Sequence, residues 1–200
     1  MQQRTIFSPS AAGNTAQNAL LPYLAFFFAA SICGWLWEVL VYWVQHGPEY
    51  GLPELLITYR GVLHGPWAPI YGVGAVLMVV IHRRVKPGPA RYFLTCTGVC
   101  AVVEYLTSWG LEAIFHAKWW DYTGYFLNLN GRICAMSLLF FALAGMAVAY
   151  GIAPRFWPLF QRAPRIAAGA VCTGLALLFL LDLLFSLFAP NLGLGVLLLT

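Results

Sequence analysis

Ile166 to Phe188 reads I-A-A-G-A-V-C-T-G-L-A-L-L-F-L-L-D-L-L-F-S-L-F, an unbroken apolar run with one charge, Asp182. Crossing a hydrocarbon core about 30 Å thick takes roughly 20 helical residues, and this run supplies them. The rest of the chain agrees with that reading: it is 61% hydrophobic, 16% aromatic and 9% charged, with mean hydropathy +0.75. A soluble domain of this length needs far more surface charge. The fold class is therefore all-α, a polytopic membrane helix bundle. In such a protein the net charge of +4 is read by position, as orientation, and implies no nucleic-acid partner.

Outward from this run, further helices are expected at about Leu20–Val44, Trp67–His82, Tyr92–Phe115 and Ile133–Ile152, making about five transmembrane helices. Residues 1–18 form a polar N-terminal tail, 19–189 the transmembrane helix-bundle domain, and 190–200 a short apolar C-terminal tail that lies at the interface or packs on the bundle. Met1 to Asn18 lacks the apolar core of a secretory signal, so the first hydrophobic run should stay in the mature protein. Gly47-Pro48 ends the first helix, and Pro53-Glu54-Leu55-Leu56 suits a short interfacial helix. The stretch H-G-P-W-A-P-I-Y-G-V-G, His64 to Gly74, predicts an irregular entry to the second helix, packed against protein where freed backbone groups find partners.

Arg83, Arg84, Lys86 and Arg91 crowd one loop, and Arg155, Arg162 and Arg165 another; together they are seven of the eleven Lys and Arg residues. Basic short loops mark the cytoplasmic side, so the N-terminus is cytoplasmic and the polar stretches at 45–65 and 116–132 face outward. The expected setting is the lipid bilayer of a cell membrane, either a bacterial inner membrane or a plasma membrane, crossed several times.

Charge this scarce makes its location informative. Glu112 to Arg132, E-A-I-F-H-A-K-W-W-D-Y-T-G-Y-F-L-N-L-N-G-R, gathers acids, bases, amides and aromatic rings at the outer mouth of the bundle. Helix depth puts Glu38, Glu104, Glu112 and Asp182 in the outer half of the membrane, where a lone carboxylate costs several kcal/mol and so must be neutral, watered or paired. Glu38 with Arg60 and Glu104 with Arg132 are the expected pairs, made equivalent by a short parallel repeat: Cys33 and Glu38 before Arg60-Gly61, Cys100 and Glu104 before Gly131-Arg132. Glu104, Ser108, Glu112 and His116 step by four along one polar stripe facing the interior. Trp119, Trp120 and Tyr122 suit an interfacial belt, while Asp121, Asn128, Asn130 and Arg132 offer groups for an anionic or polyhydroxylated ligand.

The candidate substrate-binding residues are thus Glu38, Arg60, His64, Glu104, Glu112, His116, Trp120, Asp121, Tyr122, Asn128, Asn130 and Arg132. Glu112 and His116 have metal-ligand spacing, but one such pair arises easily by chance and no H-E-x-x-H is present, so no metal or cofactor is expected. The five cysteines lie in or beside apolar segments and read as packing residues, not a disulfide framework.

At Gly34-Trp35 with Glu38, Arg60-Gly61-Val62-Leu63-His64-Gly65-Pro66 leading to Pro69-Ile70-Tyr71-Gly72-Val73-Gly74, Glu104, and Trp119-Trp120-Asp121-Tyr122 through Asn128-Leu129-Asn130-Gly131-Arg132-Ile133, the chain resembles the type IV, CmpB-like ABC-transporter permease family. The resemblance spans most of residues 26 to 150. It implies a permease subunit partnered by a separate ATPase, and it assigns no substrate. Two features of the chain bear on ATP coupling: it holds no P-loop, and its inner loops, of about nine and thirteen residues, leave little room for a docking helix.

The leading expectation is a transport-related integral membrane protein, an ABC permease subunit with an outward-facing polar cavity. Five helices are few for a pathway, so a homodimer is expected. A rival is a membrane enzyme acting on a lipid or lipid-linked headgroup at the outer leaflet, with Glu104, Glu112 and His116 as acid–base candidates and Arg60, Arg132 and Asn130 holding a phosphate. A third reading is a scaffold whose polar layer only fixes helix order.

Overall fold

The computed structural model describes residues 10–46, 61–193 and 196–198. Among these residues there are six α-helices: α1 (Ser10–His46), α2 (Pro69–Val85), α3 (Pro89–Phe115), α4 (Ala135–Ala147), α5 (Ala153–Arg162) and α6 (Arg165–Phe188). A single π turn, Val148–Ile152, joins α4 to α5 without breaking the helical path. Two short strands, β1 (Ala117–Lys118) and β2 (Leu197–Leu198), pair antiparallel at the outer end. Helix α1 begins ten residues upstream of the expected start, within the segment read as a polar tail. The interfacial helix expected at Pro53–Leu56, and Arg60, lie outside the described residues.

Helix limits follow local chemistry. Pro69 and Pro89 occupy first-turn positions, where a missing N–H is no loss. Lys86 and His116 close α2 and α3 in left-handed conformation, their amides returning to the carbonyls of His82 and Glu112 at 3.0 and 2.9 Å. Helix α4 starts with a capping box built on a thiol: Ser137 N–H donates to Cys134 Sγ, and Cys134 N–H donates to Ser137 Oγ at 3.2 Å.

Among the described residues, four helical stretches are long and apolar enough to cross a membrane: Leu20–Val44, Pro89–Phe115, Ala135–Arg162 and Arg165–Phe188. The expected fifth, α2, has 17 residues and starts deep, because Ala68 N–H donates to the carbonyl of Ser31, midway along the α1 span, at 2.9 Å. Helix α2 lies close against α1 there: a Cβ at Gly34 would run into the Tyr71 ring, and one at Gly72 into Ser31 and Phe27. Gly145 of α4 meets Met78 of α2 and Cys96 of α3 in the same way. One core joins Met78, Tyr92, Cys96, Cys100, Ala142 and Ala149, and a second joins Phe26, Ala75, Val79, Ala153 and Trp157. Cys96 and Cys100 are packing residues, as their apolar setting predicts.

Both basic loops fall at one end of the bundle. The Arg83 guanidinium stacks 4.3 Å over the Trp157 ring, and His82 packs on Tyr150 with ring centroids 4.6 Å apart. The positive charge thus collects at one end of the bundle, the end that the sequence reading assigns to the cytoplasm. The 13-residue inner loop of the sequence reading is largely helical: it holds α5, with Ala153 and Trp157 buried and Arg155, Leu159 and Arg162 exposed.

Helix α6 is peripheral, with leucines facing outward along most of its length. It is tied to the bundle near its outer end. There the stretch 61–68, which is not helical, dips toward mid-membrane to reach α2, with Leu63, Trp67 and Ala68 buried. Non-helical backbone survives at such depth only if its polar groups are satisfied by protein. Asp182 of α6 does this: it accepts from His64 N–H at 3.0 Å, Gly65 N–H at 2.8 Å and the Trp67 indole at 2.6 Å. Asn191 completes the set, its side chain donating to the carbonyls of Gly61 and Leu63 at 3.1 and 3.3 Å and its amide to Val62 at 3.0 Å.

Candidate functional site

Above the start of α2 lies a polar chamber of about 120 Å³. Glu38 of α1, Tyr71 of α2, Glu104 of α3, and Trp119, Trp120 and Tyr122 of the loop before α4 line it, with Gly61 and Val196 toward the outer end. One water needs only about 10–15 Å³, so the chamber holds several waters or a small headgroup. The two carboxylates are held alike. Glu38 accepts from the Tyr71 hydroxyl. Glu104 accepts from the Tyr122 hydroxyl at 3.0 Å and from Ser137 Oγ at 3.1 Å, and is 4% exposed.

Tyr122 reaches Glu104 because its loop is tightly wound. Leu127, Asn130, Gly124 and Gly131 all adopt positive φ, and a Cβ at Gly131 would strike Asp121 and Thr123. Tyr122 N–H donates to the Gly131 carbonyl at 2.7 Å, and the Trp120 indole donates to the Arg132 carbonyl at 3.0 Å. The Trp119 indole donates to the Asn191 carbonyl at 3.1 Å. Burial first, and the Glu104 carboxylate second, hold the Tyr122 hydroxyl well above the usual tyrosine range, so it remains a donor.

The structure divides the predicted residues into groups. Glu38, Glu104, Trp120 and Tyr122 meet in the chamber. Arg132 pairs with Glu112 at 2.7 Å and donates to Ser108 Oγ at 3.2 Å, so its partner is Glu112 and not the expected Glu104. Two helical turns further out, Glu112 is the acid that the winding of the loop brings within reach of the guanidinium. His116 is exposed at the α3 cap. His64 belongs to the Asp182 cluster, its Nδ1 3.1 Å from Ser186 Oγ.

Asp121, Asn128 and Asn130 brace the loop itself. Asp121 accepts from Thr123 N–H and Oγ1 at 2.9 and 2.6 Å, Asn128 Oδ1 accepts from Gly131 N–H at 3.2 Å, and Asn130 Nδ2 donates to the Tyr105 hydroxyl at 2.8 Å. The Thr123 hydroxyl, chiefly, holds the Asp121 carboxyl below its ordinary range. Sequence reasoning passed over Tyr71 and Ser137 as site residues. Tyr71 lay within a quoted motif, but only the fold shows that it meets Glu38.

Below the chamber a larger apolar cavity, about 450 Å³, runs between α1 and α4 over α2 and α3, with Ile70, Tyr71, Glu104 and Phe141 lining both spaces. Carboxylates with tyrosine partners at the bottom of an outer chamber, set in a bundle with a basic inner face, form a site that can hold a polar group within the membrane. No curated protein and no solved structure matches the chain. A family model does, over residues 25–187, a range that takes in α2 to α5, nearly all of α6 and every described chamber residue except Val196. The chain therefore belongs to the family described as "Putative ABC-transporter type IV", multi-pass membrane proteins of ABC-transporter type.

Proposed function

We propose that the chain is the permease subunit of an ABC-type transporter of a cell membrane, and that the chamber at Glu38 and Glu104 is its outward-facing substrate site. The observation that carries this reading is the chamber itself. Two intramembrane carboxylates from separate helices share one cavity at the level where outer loops give way to the bundle. Intramembrane acids that line a cavity characterise substrate paths.

The inner face supports coupling to a separate ATPase. The helical rod Ala135–Arg162 is 28 residues long. At 1.5 Å per residue it measures about 42 Å, longer than a core of about 30 Å, so α5 projects into the inner interface with Arg155, Leu159 and Arg162 exposed. In this reading α5 supplies the surface on which an ATPase docks, in place of a helix within a longer loop. A second copy of the subunit belongs to the same reading, since few helices surround the site.

The test is co-purification of an ATPase subunit with the native protein, with Leu159→Asp and Arg162→Glu as surface variants. Loss of the ATPase in these variants, with the bundle intact, is expected. Absence of any ATPase from the wild-type preparation, together with unchanged solute uptake on deletion, would sink the reading.

A further inference from the structure

The chamber and the apolar cavity share a wall, and their chemistry differs sharply across it. We propose that together they form one amphiphile site, taking a single apolar chain in the larger cavity and a cationic nitrogen headgroup in the chamber beside Glu104. The inference deepens the permease reading and rests on the same chamber being the substrate site.

The headgroup follows from what the chamber offers. Glu104 is nearly fully buried, receives two hydroxyl hydrogen bonds and pairs with no cation among the described residues. The donors around it are already committed: the tyrosine hydroxyls to the carboxylates, the Trp119 indole to Asn191 and the Trp120 indole to Arg132. Arg132, the nearest guanidinium of the outer loop, is held by Glu112 and Ser108 and does not line the chamber. Among the described residues the oxygens of Glu104 and aromatic faces remain, a combination that attracts an ammonium group, and no described donor of the chamber is left for a phosphate or sulfate.

The tail follows from the second cavity. At about 450 Å³ it lies within the range of about 300–1,000 Å³ that holds one small ligand. Ala29, Ala30, Gly74, Ala144 and Gly145 leave the space open. Toward the bilayer, Trp37 of α1 stacks on Phe140 of α4, centroids 5.1 Å apart and planes 16° apart, both rings 40% exposed. That pair bridges the opening between the two helices, where a chain could enter from lipid. Moving a chain from lipid to a protein cavity exchanges one apolar setting for another, so selectivity falls to the headgroup.

The test is photolabelling in lipid nanodiscs with three dodecyl probes that carry a diazirine near the chain end and differ only in headgroup: trimethylammonium, sulfate and alcohol. The ammonium probe should label the peptides around Cys33–Trp37 and Phe140–Ile152 at least about tenfold more than the other two, as expected for a desolvated cation–π and carboxylate site. Glu104→Gln should lower that labelling about tenfold and leave lipid-facing labelling of α6 unchanged. Ala144→Phe, which fills the apolar cavity, should abolish it in a protein that elutes like the wild type. Equal labelling by the three probes, or wild-type labelling in Glu104→Gln, overturns the proposal. The headgroup comparison uses the wild-type protein and so decides even if Glu104→Gln does not fold. Selective labelling in a protein that recruits no ATPase leaves this site standing and removes the permease reading; ATPase recruitment with headgroup-blind labelling does the reverse.

Discussion

Asp182 and Glu104 are both carboxylates set into the outer half of one membrane bundle, yet their surroundings differ in kind. Asp182 accepts from two backbone amides, an indole and the Ser186 hydroxyl. Its acceptor capacity is filled by the chain, and it lines neither the chamber nor the apolar cavity. Glu104 accepts from two side-chain hydroxyls and borders two cavities. A buried acid saturated by backbone donors is part of the scaffold, because those amides have no other partner at that depth. A buried acid held by hydroxyls beside open space keeps capacity for something else. The difference teaches that depth and charge alone do not mark a site; what remains unfilled around the charge does.

The comparison can be broken most directly at Asp182. Asp182→Ala leaves three part-buried donors without their acceptor at about 1–2 kcal/mol each, so a loss of about 3–6 kcal/mol is expected, read by denaturant titration in detergent. A loss below about 1 kcal/mol would show that the 61–68 stretch is held by other means. Glu104→Gln should sharpen the contrast. The amide oxygen can still accept from the Tyr122 hydroxyl, and the amide NH2 can donate to Ser137 Oγ, whose own proton can go to the Cys134 carbonyl. Stability should therefore fall by only about 1 kcal/mol, while uptake or ligand binding should fall at least tenfold. Equal effects of the two substitutions on stability would erase the distinction.

Glu112 and Arg132 stand between these extremes, with side chains 27% and 11% exposed. Arg132→Met should cost about 1–2 kcal/mol by leaving Glu112 unpaired, discounted for its exposure, and Glu112→Gln in the same chain should recover most of it. A double-mutant cycle on melting temperature checks this. Failure to recover would mean that Arg132 acts through Ser108 instead.

The smallest effect is expected at Asp121. Its carboxyl is held below the ordinary value of 3.8, so its contribution to the outer loop is complete above that pH and is lost as pH falls through the lower, folded value. Amide exchange at Thr123 should quicken there, and Asp121→Asn should remove the dependence.

Much of this was legible because membrane helices announce themselves. The run at 166–188 required a span, and the basic loops gathered at one end of the bundle. Glu38, Glu104, Trp120 and Tyr122 could be gathered from depth alone, since acids on two helices at similar distance from the outer surface are neighbours in a small bundle. Three things were not legible. The partner of Arg132 depends on four left-handed residues in the loop before α4, and a shift of two turns along α3 exchanges Glu104 for Glu112. Helix α5 reads as a loop because Pro154 and Pro158 and its charges disguise a helix that continues α4 through a π turn. Asp182 reads as one more intramembrane acid because its partners at His64, Gly65 and Trp67 lie more than a hundred residues away along the chain, and no periodicity links them.

That distance has a consequence in time. His64 N–H and its acceptor on Asp182 are 118 residues apart. At about 5–20 residues per second, roughly 6–24 s of synthesis separate them. Through that interval the amides of His64 and Gly65 must be satisfied by water, lipid headgroups or insertion machinery, since their native acceptor does not yet exist. The descent of residues 61–68 into the bundle is therefore a late event. It waits for α6 to dock, and until then the part of the chamber wall that Gly61 and Ala68 supply is unfinished.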